Sequence, residues 1–418
     1  MSQALSLAEH WRGVVPKVQG TRVVEVALAV LTLLLYSQAL LGPLLTVQND
    51  PDGSPLLRLM WPPIYAVTLL LIAFNPVQIW RTALRAWPIT LLCILPLVST
   101  LWSIDPGLSL RRGLAVLMSG VFGLWLASRF SWRDIARLIA FVFLILGFGS
   151  IIAAVLFPGF GVDQDVHAGA WKGLWWEKNT LGSMFALASL GAICAMFLAE
   201  RRMERQFWGV MVLVFVGLVL MSTSRTALVA CLVSVLGPCA IWVARRGFGF
   251  AAIAIFAGIL GVSCLGLVLV IGPGVILDAL GRDATLTGRT DIWAALSRAI
   301  AEAPMTGYGF GAFWQDDDGP GFWVRQYTQW DVPTAHNAWL ETAIALGLPA
   351  TVFAGLCVLF GFATALLRLL SGPSALWALP FLTAWLIVSM SESNFLVPNS
   401  LSWALLAATL AKLMSERD

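Results

Sequence analysis

The chain alternates long apolar runs with short polar connectors. Apolar runs fall at about 23–41, 56–74, 88–102, 112–128, 138–157, 180–199, 207–221, 248–271, 338–364, 375–390 and 400–414, with one more that begins almost without a loop after Arg225 and reaches Arg245-Arg246. Most approach the roughly 20 residues that carry an α-helix across the hydrocarbon of a bilayer. The runs are continuous rather than alternating, which predicts helices and argues against a membrane β-barrel. The expectation is an all-α polytopic membrane protein with about twelve transmembrane helices, built as one integral-membrane domain over 1–418.

One segment interrupts the rhythm. Residues 272–335 are neither apolar throughout nor a short connector. They hold a basic, glycine-rich entry (Gly281-Arg282-Asp283, then Thr287-Gly288-Arg289-Thr290), an amphipathic stretch, a Gly-x-Gly-x-Gly run at Gly307, Gly309 and Gly311, and three consecutive acids, Asp316 to Asp318. The segment then delivers His336 to the start of the next apolar run.

The polar connectors give a sidedness. Lys and Arg gather in alternate ones: Arg12, Lys17 and Arg22; Arg81 and Arg85; Arg129, Arg133 and Arg137; Arg201, Arg202 and Arg205; Arg245 and Arg246; Arg368; Lys412 and Arg417. By the positive-inside rule these are cytoplasmic, both termini with them, and 272–335 is a long periplasmic loop. The first apolar run is long and has no small-residue cleavage pattern close behind it, so it reads as a span rather than a removed signal.

Composition agrees with this reading. The chain is 59% hydrophobic and 12% charged, against about 25% charged for a soluble domain, and its mean hydropathy is +0.84. The six cysteines (Cys93, Cys194, Cys231, Cys239, Cys264, Cys357) all lie in apolar runs without metal-ligand spacing, and read as small buried residues. No phosphate-loop motif occurs, and the inner connectors are too short for a nucleotide site. Any energy used must therefore arrive with a lipid-borne donor or an ion gradient.

The informative residues are cations on the wrong side. Arg111, Arg112, Lys172, Lys178, Arg225, Arg282, Arg289 and Arg325 all fall on the outer face. Arg225 has no loop to float in, and an unpaired Arg inside the boundary costs up to about 3 kcal/mol. Arg289 opens an amphipathic helix expected over Thr290 to Ala301, with Thr290 or Thr287 as its cap, Ile292, Trp293, Leu296, Ala299 and Ile300 at helical spacing, and Pro304 and Gly307 beyond its end. Such a helix is expected to lie flat at the outer membrane interface. Arginines converging near a helix start suit a polyanion such as a diphosphate, and one Arg–phosphate contact at 4 Å is worth about 4 kcal/mol at an effective dielectric near 20. Arg111, Arg112, Arg282 and Arg325, taken singly, equally fit cations snorkelling to lipid headgroups.

His336 is suited to general-base work near neutral pH or, more plainly, to a helix cap. Asn337 can hydrogen-bond a sugar, Glu341 lies one turn on, and Trp339 offers a stacking face. Outer tryptophans (Trp171, Trp175, Trp176, Trp314, Trp323, Trp330) divide between an aromatic belt and sugar stacking. The Gly-x-Gly-x-Gly run lacks the strand and helix of a dinucleotide fingerprint and reads as a turn. The Asp316 to Asp318 run lacks ligand spacing and reads as a solvated acidic turn.

Five short stretches together resemble the O-antigen ligase and polymerase superfamily of bacterial envelope glycosyltransferases, and within it the exopolysaccharide-polymerase branch. They are Ala170-Trp171-Lys172-Gly173 with Glu177-Lys178-Asn179-Thr180-Leu181-Gly182; Ser222-Thr223-Ser224-Arg225; Thr287-Gly288-Arg289-Thr290-Asp291-Ile292-Trp293; Gly307 to Trp314; and Ala335-His336-Asn337-Ala338-Trp339-Leu340-Glu341. The resemblance covers roughly the second half of the chain. It implies transfer, with inversion and without a metal or cofactor, of a glycan from undecaprenyl diphosphate to an acceptor hydroxyl. The acceptor would be a second glycan or lipid A-core, with membrane lipids around and no nucleic acid involved. It also implies roles. Arg225 and Arg289 would stabilise the leaving diphosphate, and His336 would orient or deprotonate the acceptor. Lys178 and Asn179 would line the site, joined as candidate substrate-binding residues by Asn337 and Arg111. Glu177 stands where such proteins more often carry a neutral or basic residue, so Lys178 has that carboxylate as an alternative partner.

The resemblance places the protein in the bacterial inner membrane with a periplasmic site. The wording of Gly288 to Trp293 and of Gly311 to Trp314 leans toward a polymerase of lipid-linked repeat units, with an O-antigen ligase as the close rival. A transporter or flippase of lipid-linked glycans is the alternative from another class. The spans are nearly free of acids, which argues against proton coupling.

Overall fold

The computed structural model describes residues 16–45, 54–164, 167–247, 249–252, 289–315, 319–329, 331–370 and 372–416. In chain order its helices are α1 (Pro16–Tyr36), α2 (Leu41–Leu45), α3 (Pro55–Ala73), α4 (Pro76–Arg85), α5 (Trp87–Val98), α6 (Pro106–Arg129), α7 (Trp132–Leu156) and α8 (Pro158–Gly161). There follow α9 (Lys178–Phe197), α10 (Arg202–Met221), α11 (Arg225–Ala244), α12 (Arg289–Glu302), α13 (Pro320–Thr328), α14 (Ala338–Leu367), α15 (Ser374–Ser389) and α16 (Leu401–Ser415). Among the described residues there is no strand, only an isolated antiparallel bridge between Val162 and Trp171.

Every expected span coincides with a helix except the ninth, 248–271, nearly all of which lies outside the described residues. Among the described residues seven helices are long and apolar enough to cross a membrane: α3, α6, α7, α9, α10, α11 and α14. An eighth is formed if α4 and the run Trp87–Leu101 count as one span, and these meet at 93°. α15 and α16 are apolar but shorter. The entry to the loop, 272–288, with Arg282 in it, and the acids Asp316 to Asp318 lie outside the described residues.

Local sequence explains where the helices begin. Proline stands in the first turn of α3, α4, α6 and α13, where its missing N–H removes no helical hydrogen bond. Ser131 and Asp134 form a reciprocal capping box at α7, and Asp105 and Ser400 cap α6 and α16. Small residues set the packing. A Cβ added at Gly191 of α9 would fall 3.1 Å from the backbone nitrogen of Ala140 in α7, and Gly237 of α11 sits against Pro380 of α15. Membrane helices pack closely at such residues.

The helix directions place one set of ends together. Cys194 donates its Sγ–H to the Leu376 carbonyl (3.2 Å), and Arg245 Nε donates to the Leu369 carbonyl (2.8 Å). The far ends of α9 and α11 therefore meet the beginning of α15. Their N-terminal residues, Lys178 and Arg225, then lie at the end where α15 finishes. α16 runs parallel to α6, since Trp403 Nε1 donates to Val116 O (2.9 Å) and Lys412 Nζ to Ala127 O (3.4 Å). The start of α6, with Arg111 and Arg112, accordingly lies at the same end as the loop Met390 to Ser400.

Over that end sits a second, smaller core. Ile292, Leu296, Ala299 and Ile300 of α12 pack with Phe313, Trp314, Val324, Val332, Ala335, Ala343 and Ile344. This corrects one expectation. The amphipathic helix exists over Arg289–Glu302, with Thr290 inside it and the other cap candidate, Thr287, outside the described residues, but its apolar face is covered by protein rather than laid on lipid.

Candidate active site

α14 begins and breaks in ways that shape the site. Asn337 is its N-cap: Oδ1 accepts from the backbone N–H groups of Trp339 (3.0 Å) and Leu340 (3.2 Å), and Nδ2 donates to Met390 O (3.4 Å). Three turns later Gly347 leaves helical geometry at φ +84°. Pro349 has no N–H to offer Ala345 O, and Leu348 N–H is turned away to Pro304 O (2.8 Å). Two carbonyls are thereby freed. Ile344 O accepts from Tyr308 N–H (2.8 Å) and Ala345 O from Gly309 N–H (3.1 Å).

The Gly-x-Gly-x-Gly run is thus a docking turn. Gly307, Gly309 and Gly311 all have positive φ, and a Cβ at Gly307 would fall 2.6 Å from Ile344 O. On its other side the turn is held by α6 and the residues before it. Phe310 N–H donates to Ser99 Oγ (3.0 Å), Ser109 Oγ to Phe310 O (2.9 Å), and Arg112 Nη1 to Gly311 O (2.8 Å). Tyr308 Oη donates to Ala299 O (2.9 Å) and lies 3.2 Å from Glu302 Oε2. Burial, and then the Glu302 carboxylate, push its phenol up to about 12, so it stays a neutral donor.

With this frame fixed, three side chains meet. Glu392, in the loop after α15, places Oε1 3.5 Å from Arg289 Nη2 and Oε2 3.7 Å from His336 Nδ1. One carboxylate thus faces both an arginine from the first turn of α12 and the histidine before α14. His336 holds φ +46°, a left-handed conformation that costs a non-glycine residue of order 1–3 kcal/mol and persists where the surroundings enforce it. Here they do: Trp293 Nε1 donates to Ala335 O (3.0 Å) on one side, and the Asn337 cap follows on the other.

The second cluster is the turn between α10 and α11. Ser222 is helical, Thr223 has φ +52° and Ser224 is extended, so three residues reverse the chain and Arg225 opens α11 exposed. Lys178 Nζ lies 3.4 Å from Thr223 Oγ1. Trp171 N–H donates to Met221 O (2.9 Å), which ties the 158–177 connector to the same turn.

The structure brings Arg289 and His336 together through Glu392, and sets Lys178 beside the turn that carries Arg225. Asn179 is half-buried one residue on from Lys178. Arg111 is exposed near the start of α6, whereas Arg112 is engaged by the glycine turn. Arg325 is also engaged, donating to Trp314 O (2.9 Å). Of the tryptophans, Trp175 is buried on Ser37 O (2.8 Å), Trp339 packs on Trp385 and Phe395, and Trp323 is exposed. Glu392 is the residue that sequence reasoning missed. Nothing local singled it out, because it is one of many acids in the outer connectors.

The family described as O-antigen ligase (Wzy_C) matches residues 209–355, a stretch that begins in α10, takes in Arg225, Arg289 and His336, and ends beyond the break in α14. Over these residues the chain is similar to that family. A relative, the exopolysaccharide production protein ExoQ of Rhizobium meliloti (strain 1021), is 28% identical over 286 residues. That match covers 66% of this chain and 64% of the relative's length. The superfamily match and the apolar helices together make this a bacterial membrane protein.

Proposed function

We propose that this protein is a membrane glycosyltransferase of the O-antigen ligase and polymerase superfamily. It moves a glycan from undecaprenyl diphosphate to an acceptor hydroxyl on the periplasmic face of the inner membrane, with about twelve spans and both termini cytoplasmic. The observation that carries the reading is the shared carboxylate: Glu392 between Arg289 and His336, at the end of the bundle where Lys178 and Arg225 also open their helices.

In this mechanism Arg225 and Arg289 hold the diphosphate, and Lys178, Asn179 and Arg111 add to the donor cradle. Before donor binds, the charge of Arg289 is met by Glu392. The arriving diphosphate competes for that arginine, which leaves Glu392 facing His336. The acceptor oxygen attacks the anomeric carbon as the bond from that carbon to the diphosphate oxygen breaks. The lipid diphosphate leaves with the electron pair, stabilised by the two arginines. The hydroxyl proton passes to His336, and Glu392 balances the imidazolium. The nucleophile approaches opposite the leaving group, so the anomeric configuration inverts. Fixed guanidinium groups carry the leaving-group charge, so transfer should survive EDTA.

The product is most simply a polymer of lipid-linked repeat units, a reading supported by the likeness to an exopolysaccharide production protein. A ligase acting on lipid A-core is the second reading, supported by the description of the matching family. The test is reconstitution of purified protein in liposomes with a synthetic undecaprenyl-diphosphate oligosaccharide, with and without lipid A-core. A ladder from donor alone supports the polymerase. A shifted lipid A band without a ladder supports the ligase. No glycosidic product under either condition overturns the enzyme reading and turns attention to flipping of the donor.

A further inference from the structure

Three separate segments meet on one carboxylate. Glu341 lies in the first turn of α14, half-buried. Its Oε2 accepts the backbone N–H of Ala335 at 2.7 Å and lies 3.4 Å from Ser393 Oγ. Its Oε1 accepts Trp314 Nε1–H at 2.9 Å. Ala335 immediately precedes His336, and Ser393 immediately follows Glu392. The same side chain therefore grips the neighbours of both members of the His336–Glu392 pair, and through Trp314 it anchors the turn held by Arg112 at Gly311.

We infer that Glu341 is a positioning residue: it sets the separation of His336 and Glu392 and so the step in which the acceptor proton is taken. The inference rests on the transfer reaction proposed above. The chemistry requires a carboxylate here rather than an amide. Two oxygens that only accept can satisfy all three donors, whereas a glutamine offers one acceptor and brings two donors of its own. One of Ala335 N–H and Trp314 Nε1–H then faces an NH2 group and must move away. At a separation of 3.7 Å the pair has little slack, and a misplacement near 1 Å costs on the order of 100-fold in rate. The diphosphate ligands proposed above, Arg225 and Arg289, make no contact with Glu341 among the described residues, so donor binding should be spared.

The test is Glu341→Gln in the full chain, reconstituted in liposomes, with kcat and donor KM from initial rates and equilibrium binding of the undecaprenyl-diphosphate oligosaccharide measured alongside. The expected result is a fall in kcat of about 100-fold, with donor KM and binding held within about twofold. Trp314→Phe and Ser393→Ala, which each remove one donor, should show the same split at about tenfold. Wild-type kcat in Glu341→Gln overturns the inference. So does a parallel loss of donor binding and rate, which would mark a residue that only holds the fold. A wild-type protein that forms no glycosidic bond sinks the reaction itself, and is recognised because it fails before any variant is compared.

Discussion

The two ends of the helix bundle treat charge in opposite ways. At one end several cations are closely paired with acids, most of these pairs running between helices. Arg129 meets Glu25 at 2.8 Å, Arg22 meets Glu25 and Asp134 at 3.3 Å, and Arg133–Glu200, Arg137–Glu204 and Lys412–Glu416 all close at 2.6 Å. At the other end the pairs among the described residues are fewer and longer, as in Arg325–Asp331 at 3.6 Å. One carboxylate, Glu392, faces both Arg289 and His336, while Arg111 and Arg225 are exposed and make no ion pair among the described residues. Neutralised charge ties helices to one another. Longer pairs leave a cation such as Arg289 able to change partner, which the polyanionic donor proposed above would require. The difference separates cations locked between helices from cations proposed to bind, which a count of arginines cannot do.

Variants can break that distinction. The largest effects belong to the second end: Arg225→Ala, Arg289→Ala or His336→Ala should each reduce glycosidic bond formation by about 1,000-fold while membrane insertion, read by protease accessibility, is unchanged. Normal product from all three would sink the site. At the paired end Glu25→Gln leaves Arg129 and Arg22 without their shared, buried carboxylate and should lower stability by about 3 kcal/mol. A thermal melt of detergent-purified protein checks this, and transfer per folded molecule should stay at the wild-type level. Glu392→Gln should lower transfer about 10- to 100-fold, the scale of a lost charged contact, with little change in melting. Smallest of all is Glu200→Gln. Its carboxylate is held low by the hydrogen bond from Arg133, yet the pair is on the surface, and neither melting nor transfer should move measurably.

Much of this arrangement was legible in the chain. Continuous apolar runs located the helices, because nothing else satisfies a backbone in lipid. Arg225 and Arg289 stood out as cations without an obvious place, and the structure sets them at the end with His336. What could not be read were pairings across distant connectors. Glu392 lies 103 positions from Arg289 and 56 from His336 by residue number, and no local pattern links them. The fate of the amphipathic helix was also hidden. An apolar stripe has the same spacing whether it faces lipid or protein, and here the partner surface came from Phe313, Val324 and Ala343. The glycine run was read as a turn, but its purpose depended on carbonyls freed by Gly347 and Pro349 a helix away.

The break at Gly347 has a bearing on bilayer thickness. Residues 348–367 amount to a helix of about 30 Å at 1.5 Å per residue, which is the thickness of a typical hydrocarbon core. Spans answer a thicker or thinner bilayer by tilting. A continuous helix would carry that tilt straight into His336. Because the helical hydrogen-bond ladder is interrupted, and its upper piece is bonded to Tyr308 and Gly309 instead, the histidine takes its height from the glycine turn and the smaller core around it. The lower piece can lean with the lipid while the distance between His336 and Glu392 is kept.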